Sequence, residues 1–371
     1  MNNNKIHPGI YCNKYSYPAD FNPLLIQRVL SGDEYYILGC NECAGKLAEL
    51  LEPAGFVDDF RRERTWRGKP VVRIAELAPE DIVVNCVSSI SPLTVGKKLA
   101  EAGIKRVVAF SDLATLDHAS AFLPDFVREI REDFRRNLQH WLQLEKGWAD
   151  LESEQVFRQL LAFRLTGDYR FMTGCSVRLR EQYFETFLQL SAEEVFVDCG
   201  GYDGDTSSEF IQRTGGQFRR IYFFEPCADN MRKARKKLGK DGRILFQEEG
   251  VSDYTGRCRF DSAAGSACSI SPEGNCTIEV VRLDDRLAEV PTLIKMDLEG
   301  QELSALRGVA GCIRRYAPKL AIAAYHRADD LWRIREFVTG IRPDYKVYLR
   351  HYTEGWSETV MFFLPDIGKE L

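Results

Sequence analysis

Apolar and polar positions alternate along this chain in two separate blocks. From Tyr35 to Asp112, short apolar runs such as 35-YYILGC-40, 55-GFVDDF-60, 71-VVRIAEL-77, 81-DIVVNCVS-88 and 106-RVVAF-110 are separated by stretches of helical period. Those stretches predict a helix from about Cys43 to Glu52 and another over 93-LTVGKKLAEAG-103. Strands and helices in this rhythm predict a parallel sheet with crossover helices. From Phe122 to Leu190 the period is helical, most clearly in 126-FVREIREDFRRNLQHWLQL-144, whose aromatic and leucine positions suit packing between two domains. At Ala192 the alternation resumes. Apolar runs at 195-VFVDCG-200, 220-RIYFFEP-226, 243-RILFQEEGVS-252, 278-IEVVRLDD-285, 292-TLIKMDLEG-300 and 319-KLAIAAYH-326 predict strands, with helices such as 207-SSEFIQRTG-215, 229-DNMRKARKKLG-239 and 302-ELSALRGVAGCI-313 between them. The closing 345-YKVYLRHYTEGWSETVMFFLP-365 gives two strand runs around a turn holding Glu354 and Gly355. The predicted organisation is α/β throughout: a Rossmann-like domain over 1–120, a helical connector over 121–190, and a doubly wound sheet with a terminal antiparallel hairpin over 191–371.

Composition narrows the classes. A chain of 371 residues is comfortable as two domains, each with its own core. The net charge of −5 comes from interspersed charges, which leaves no basic field for a nucleic acid backbone. The run 232-RKARKK-237 reads as a solvated helix face. The N-terminal MNNNKIHPGIYCNKYSYPAD lacks an apolar h-region and no 18-residue apolar run occurs, so a cytoplasmic protein without a membrane span is expected. Several of the 11 cysteines, Cys86, Cys199 and Cys312 among them, lie in apolar runs, as reduced buried thiols do. Cys40 and Cys43 form a C-x-x-C without a second pair or neighbouring histidines, which argues against zinc.

The stretch 195-VFVDCGGYDGDT-206 carries the most chemistry. Its adjacent glycines do not match G-x-G-x-x-G, and no lysine follows as a phosphate-cradling loop requires. An acid at the strand end followed by D-C-G-G-Y-D-G suits S-adenosylmethionine: glycines admit the amino-acid portion, and carboxylates meet an ammonium and a sulfonium. Acids recur at the following strand ends. Glu225, followed by Pro226, can accept from both ribose hydroxyls. Glu249, Gly250 and Val251 fall where adenine would lie, and Asp297 beside the expected methyl group. Ligands of open α/β sheets bind at the carboxyl ends of strands, which makes the series a candidate site.

Together, 160-LLAFRLTGD-168, 182-QYF-184, 196-FVDCGGYDGDT-206, 223-FFEP-226, 294-IKMDLEGQE-302, 349-LRHY-352 and 358-ETV-360 resemble the FkbM-type methyltransferases over roughly Leu151 to Pro365. The doubly wound methyltransferase sheet has the terminal hairpin that dinucleotide folds lack. The resemblance implies O-methylation of a hydroxyl on a sugar or polyketide-like acceptor, with S-adenosylmethionine as donor. By that implication Asp198, Gly200, Gly201, Asp203 and Thr206 hold the methionine part and Glu225 the ribose. Tyr183 and Gln182 would line the pocket, with Glu299, Tyr325 and His326 on the acceptor side. Many members carry a glutamate where this chain has Tyr325 and His326.

Transfer to an alcohol needs a group to take its proton. His326 is the first candidate, as a neutral imidazole at a strand end, and Asp297 is its rival. Asp297, Glu299 and Asp329 or Asp330 are hard ligands that suit Mg²⁺, but no spacing demands a metal and none is assigned. In the first domain, 37-ILGCNECAGKLAELLEPAGFVDDF-60 imitates a nucleotide-binding unit, with Asn41 and Ala44 where glycines belong. It is weakly similar to the Rossmann-like modules of sugar-modifying enzymes. The leading expectation is a methyltransferase acting on a small-molecule or glycan acceptor, free or nucleotide-linked, in a chain able to form homo-oligomers. The alternative is a nucleotide-sugar-binding or NAD-dependent sugar-modifying protein centred on the first domain.

Overall fold

A computed structural model describes residues 21–113, 123–261, 269–270 and 272–366. It divides into two compact units. One comprises 1–142, 155–177 and 352–357, the other 143–154, 178–351 and 358–371. The stretch expected as a connector is shared between them. It forms helices at Asp125–Arg136, Leu138–Gln143 and Leu151–Thr166, then only short 3-10 turns at Tyr169–Met172 and Thr186–Leu188. Gly167 ends the long helix: at φ +77° its N–H bonds back to the Phe163 carbonyl at 2.6 Å.

The first unit is built on strands β1 (Tyr36–Leu38), β2 (Gly55–Val57), β3 (Thr65–Trp66), β4 (Lys69–Val72), β5 (Ile82–Asn85) and β6 (Arg106–Ala109), in the order β3-β4-β2-β1-β5-β6. All neighbours are parallel except β3 and β4. Alternation along each strand feeds two cores: Ile37, Phe56 and Val84 on one face, Leu38, Val57 and Val83 on the other. Asn41 caps the helix Glu42–Leu50 through its Oδ1, and its Nδ2 donates to the Cys86 carbonyl at 2.9 Å. Asp58 accepts from the Phe60 and Arg61 N–H groups, and Asp59 from that of Ile74. The side chains that imitate a nucleotide reader are thus engaged with backbone. Residues 352–357 complete this unit. Tyr352 and Thr353 are fully buried, and Glu354 accepts from the N–H and Oγ1 of Thr94 at 2.7 and 2.6 Å.

The second unit holds β7 (Val195–Cys199), β8 (Arg220–Phe224), β9 (Ile244–Gln247), β10 (Gly250–Val251), β11 (Gly256–Asp261), β12 (Ser269–Ile270), β13 (Cys276–Val281), β14 (Leu293–Met296), β15 (Lys319–Ala323), β16 (Tyr345–His351) and β17 (Thr359–Pro365). Seven strands form the main sheet in the order β16-β17-β15-β14-β7-β8-β9. Five are parallel and the last two add an antiparallel hairpin, as the pattern predicts. One difference is a second sheet, β10-β13-β11-β12. The run 243-RILFQEEGVS-252 is two strands: the main sheet loses it after Gln247, and Gly250–Val251 pair with β13. Among the described residues no helix is long and apolar enough to cross a membrane.

The order reverses at β7, whose neighbours are β8 on one side and β14 on the other. There the chain turns through Gly200 at φ +75°. A Cβ at Gly200 would lie 1.9 Å from the Asp297 carbonyl oxygen, and one at Gly201 2.2 Å from the Phe223 ring. These glycines therefore let the chain pass its own neighbours, beyond any room they leave for a ligand. Gly200→Ala should lower the free energy of unfolding by about 2 kcal/mol or more. Gly340→Ala, on an exposed helix position where an added Cβ meets nothing, should raise it by about 0.5–1 kcal/mol. Urea unfolding of both variants checks the pair, and equal midpoints would refute the steric account.

Candidate active site

A cavity of about 680 Å³ opens at the carboxyl ends of β7, β8 and β14. Of the residues expected there, Gly200, Thr206, Glu225, Pro226, Gly250, Val251 and Asp297 line it, as do Tyr183, Glu299 and Tyr325 on the expected acceptor side. Asp198, Gly201, Asp203 and His326 are not among its lining residues.

For the two aspartates the reason is electrostatic. Asp198 is fully buried; its Oδ1 lies 3.1 Å from the Lys295 ammonium, and its Oδ2 accepts from the Ser207 hydroxyl at 2.6 Å. It holds the lysine and does not line the cavity. Asp203 is turned to Lys237, at 2.5 Å. Lys295 itself was not anticipated. Burial opposes its charge, but Asp198 and Asp297 outweigh that and raise its pKa. Its ammonium donates to the Gly200 carbonyl at 2.7 Å and stands 5.1 Å from the Tyr183 ring centroid, fixing the turn and the aromatic wall together.

Glu225 is 6% exposed. One of its oxygens accepts from the Tyr202 N–H and the other from the Cys227 N–H, at 2.9 and 2.8 Å. Burial raises its pKa despite those bonds. Each carboxylate oxygen has two lone pairs, and the Asn230 side chain takes a third of the four positions, so one accepting position remains for a hydroxyl. On the opposite wall Tyr183 donates from its hydroxyl to Asp297 Oδ2 at 2.7 Å, and the Gln182 amide donates to the Tyr183 hydroxyl and to Glu358, at 3.0 and 2.6 Å.

Behind Asp297 sits His326, its side chain 8% exposed. Nδ1 lies 2.9 Å from Glu302 Oε1, while Nε2 lies 3.4 Å from Asp297 Oδ1 and 3.5 Å from Glu299 Oε2. Burial alone would lower the pKa of His326, but Glu302, Asp297 and Glu299 hold it up at about 10. The neutral imidazole expected at this strand end is therefore not what this ring of carboxylates favours. Burial pushes the Glu299 carboxyl up to about 7, with the neighbouring acids adding to it. Glu302 and Glu358, like Lys295, had no assigned role. The signal for Lys295 was a lone charge within the apolar 293-LIKM-296, which asks for a buried partner.

Among the described residues seven non-glycines have left-handed φ, and four of them line this cavity: Tyr183, Tyr202, Glu299 and Glu358. Each such residue costs about 1–3 kcal/mol, and strain of this kind gathers at functional sites.

A cavity at the reversal point of a seven-stranded sheet with an antiparallel edge hairpin defines a class I methyltransferase-like fold. Residues 198–353 match the family model of the methyltransferase FkbM domain. The chain is similar to the methyltransferase FkbM of Methylobacillus flagellatus KT, with 26% identity and a TM-score of 0.73 across 96% of this chain and 98% of that one. It is also similar to the hexuronic acid methyltransferase AglP of Haloferax volcanii, 28% identical over 102 residues. That match takes in 25% of this chain and 43% of AglP, so the chain spans less than half the length of this curated relative.

The Lys295–Asp198 pair gives a direct test of the site's foundation. Lys295→Met leaves Asp198 buried without a counter-ion and should cost about 3–5 kcal/mol. Adding Asp198→Asn should restore part of the loss. A single variant with the wild-type urea midpoint would show that the pair carries no such weight.

Proposed function

We propose that the chain is an S-adenosylmethionine-dependent O-methyltransferase acting on a hydroxyl of a carbohydrate-like acceptor. The observation that carries this reading is one cavity with two chemically distinct walls: Glu225 with Gly250 and Val251 on one side, and the carboxylates of Asp297, Glu299 and Glu358 on the other. The first wall suits a ribose hydroxyl and a flat base. The second disfavours an anionic acceptor and suits a neutral, hydroxyl-bearing one. The hexuronic acid methyltransferase relative supports a sugar as acceptor class; a hexuronic acid is itself anionic, so the preference for a neutral acceptor rests on the acidic wall alone.

S-adenosylmethionine, when bound, supplies a methyl group already activated on a sulfonium. The chain's part is then positioning and proton removal. Holding the acceptor oxygen in line can contribute roughly 7–11 kcal/mol, and a placed proton acceptor roughly 10²–10⁴-fold. Tyr183 fixes Asp297, and Gln182 fixes Glu358, so two carboxylates are oriented before any ligand arrives. The acceptor's proton passes to this acidic wall, because these side chains line the cavity and His326 stands behind them. His326 acts through the carboxylates it touches, which revises the role first given to it.

Glu225→Gln should weaken S-adenosylhomocysteine binding by about 1–3 kcal/mol, roughly 5- to 150-fold, read by calorimetry. The full chain should bind S-adenosylhomocysteine and not NAD, and should transfer a labelled methyl group to at least one member of a panel of free and nucleotide-linked sugars. Binding of NAD alone would shift the reading to the first unit as a sugar-modifying module. Unaltered affinity in Glu225→Gln would remove the ribose assignment.

A further inference from the structure

The geometry points to a divalent-cation site formed by Asp297 Oδ1, Glu299 Oε2 and His326 Nε2, with its open positions toward the acceptor hydroxyl. It rests on the reading of this cavity as the transfer site and gives that site a second electrophile.

Three features carry it. The first is spacing. Nε2 stands 3.4 Å from one carboxylate oxygen and 3.5 Å from the other, too far and too poorly aligned to be hydrogen bonds. Atoms that share an ion at bonds of about 2.0–2.1 Å lie about 3.0–3.4 Å apart, so each carboxylate oxygen stands close to ligand spacing from Nε2. The second is the partner of the other ring nitrogen. Nδ1 faces Glu302 Oε1 at 2.9 Å, and Glu302 is fully buried and anchored by the Leu298 N–H at 2.7 Å. That contact makes no hydrogen bond as it stands, and a small rotation of the ring turns it into the carboxylate bond that orients metal-bound imidazoles, with the other nitrogen left to ligate. The third is lack of satisfaction. Both ring nitrogens of His326, Asp297 Oδ1 and Glu302 Oε2 are shielded from solvent and take part in no hydrogen bond, although the histidine side chain is more than nine-tenths buried. Buried polar atoms are normally paired, and a cation between them pairs the two that face it.

Backbone and charge agree with this. Glu299 is held at φ +50° and followed by Gly300 at φ +89°, a turn that brings the glutamate back to the ring. Asp297, Glu299 and Glu302 surround a single imidazole, with Asp330 close enough to add to the negative field. One imidazole nitrogen with two carboxylate oxygens is a donor set for a borderline to hard ion such as Mn²⁺. Asp297 and Glu299 line the cavity and His326 lies behind, so the vacant positions open inward. An acceptor hydroxyl bound there becomes more acidic. Its O–H bond breaks and the proton goes to Glu358, the lining carboxylate outside the ligand set. The O–CH₃ bond then forms as the S–CH₃ bond breaks, leaving that electron pair on sulfur.

The test uses the full chain, stripped of metal with chelator and titrated with Mn²⁺ under electron paramagnetic resonance. One ion should bind per chain, with nitrogen coupling in the pulsed spectrum that disappears in His326→Ala. Glu302→Gln keeps every ligand and should still weaken Mn²⁺ binding about 10- to 100-fold. S-adenosylhomocysteine affinity in the same samples reports whether each variant is folded. Absence of bound Mn²⁺ at millimolar ion, or a bound signal that survives His326→Ala, overturns the site. Full methyl transfer in chelator with the cofactor product still bound overturns the cation's role and leaves the methyltransferase reading standing. Loss of S-adenosylhomocysteine binding by the wild-type chain defeats that reading instead, while nitrogen-coupled Mn²⁺ would still establish the ion site.

Discussion

The second unit depends on one buried charge pair. Asp198 and Lys295 are direct register partners on β7 and β14, the two strands that flank the point where the sheet changes direction. Neither charge can leave, because each would strand the other in an apolar interior where an unpaired ion costs several kcal/mol. From this pair the lysine reaches the carbonyl of Gly200 and supports the Tyr183 ring, and Tyr183 in turn holds Asp297. The floor of the cavity and its reactive wall are thus one connected piece. A change to the pair is felt at Asp297 without touching a ligand.

That arrangement also explains what was and was not legible in the sequence. The parallel strands of both units stood out because strands buried on both faces read as unbroken apolar runs, as in 82-IVV-84 and 195-VFV-197. The hairpin was equally plain. The small sheet was not, although 256-GRCRFD-261 alternates, with Arg257 and Arg259 outward and Phe260 inward. Two of its strands, β10 and β12, have only two residues each, and the residues that join β11 to β12 fall outside those described. The helical period beyond Thr166 misled because apolar spacing alone cannot show that Gly167 stops the helix.

The acids at strand ends were found by position, and position could not reveal which way each one faces. Asp198 and Asp297 look alike in sequence, one strand end apiece. One is sealed against a lysine and the other borders the cavity, and the difference lies in Lys295, whose charge sits on the strand between apolar neighbours. In the same way His326 read as an isolated titratable group. Three carboxylates from the loop and helix start at Asp297, Glu299 and Glu302 converge on it only in three dimensions.

The division of the chain has a consequence for how the protein is made. The first unit takes its last piece from residues 352–357, which the ribosome delivers long after β1 to β6. At about 5–20 residues per second, the sheet synthesised first waits on the order of ten seconds or more for Glu354 to reach Thr94. During that interval the Ser88–Thr94 segment lacks the backbone N–H and carboxylate partners that the finished fold gives it. The sheet of the first unit is therefore made long before the piece that completes it, and its closure reports that the chain through β16 has emerged.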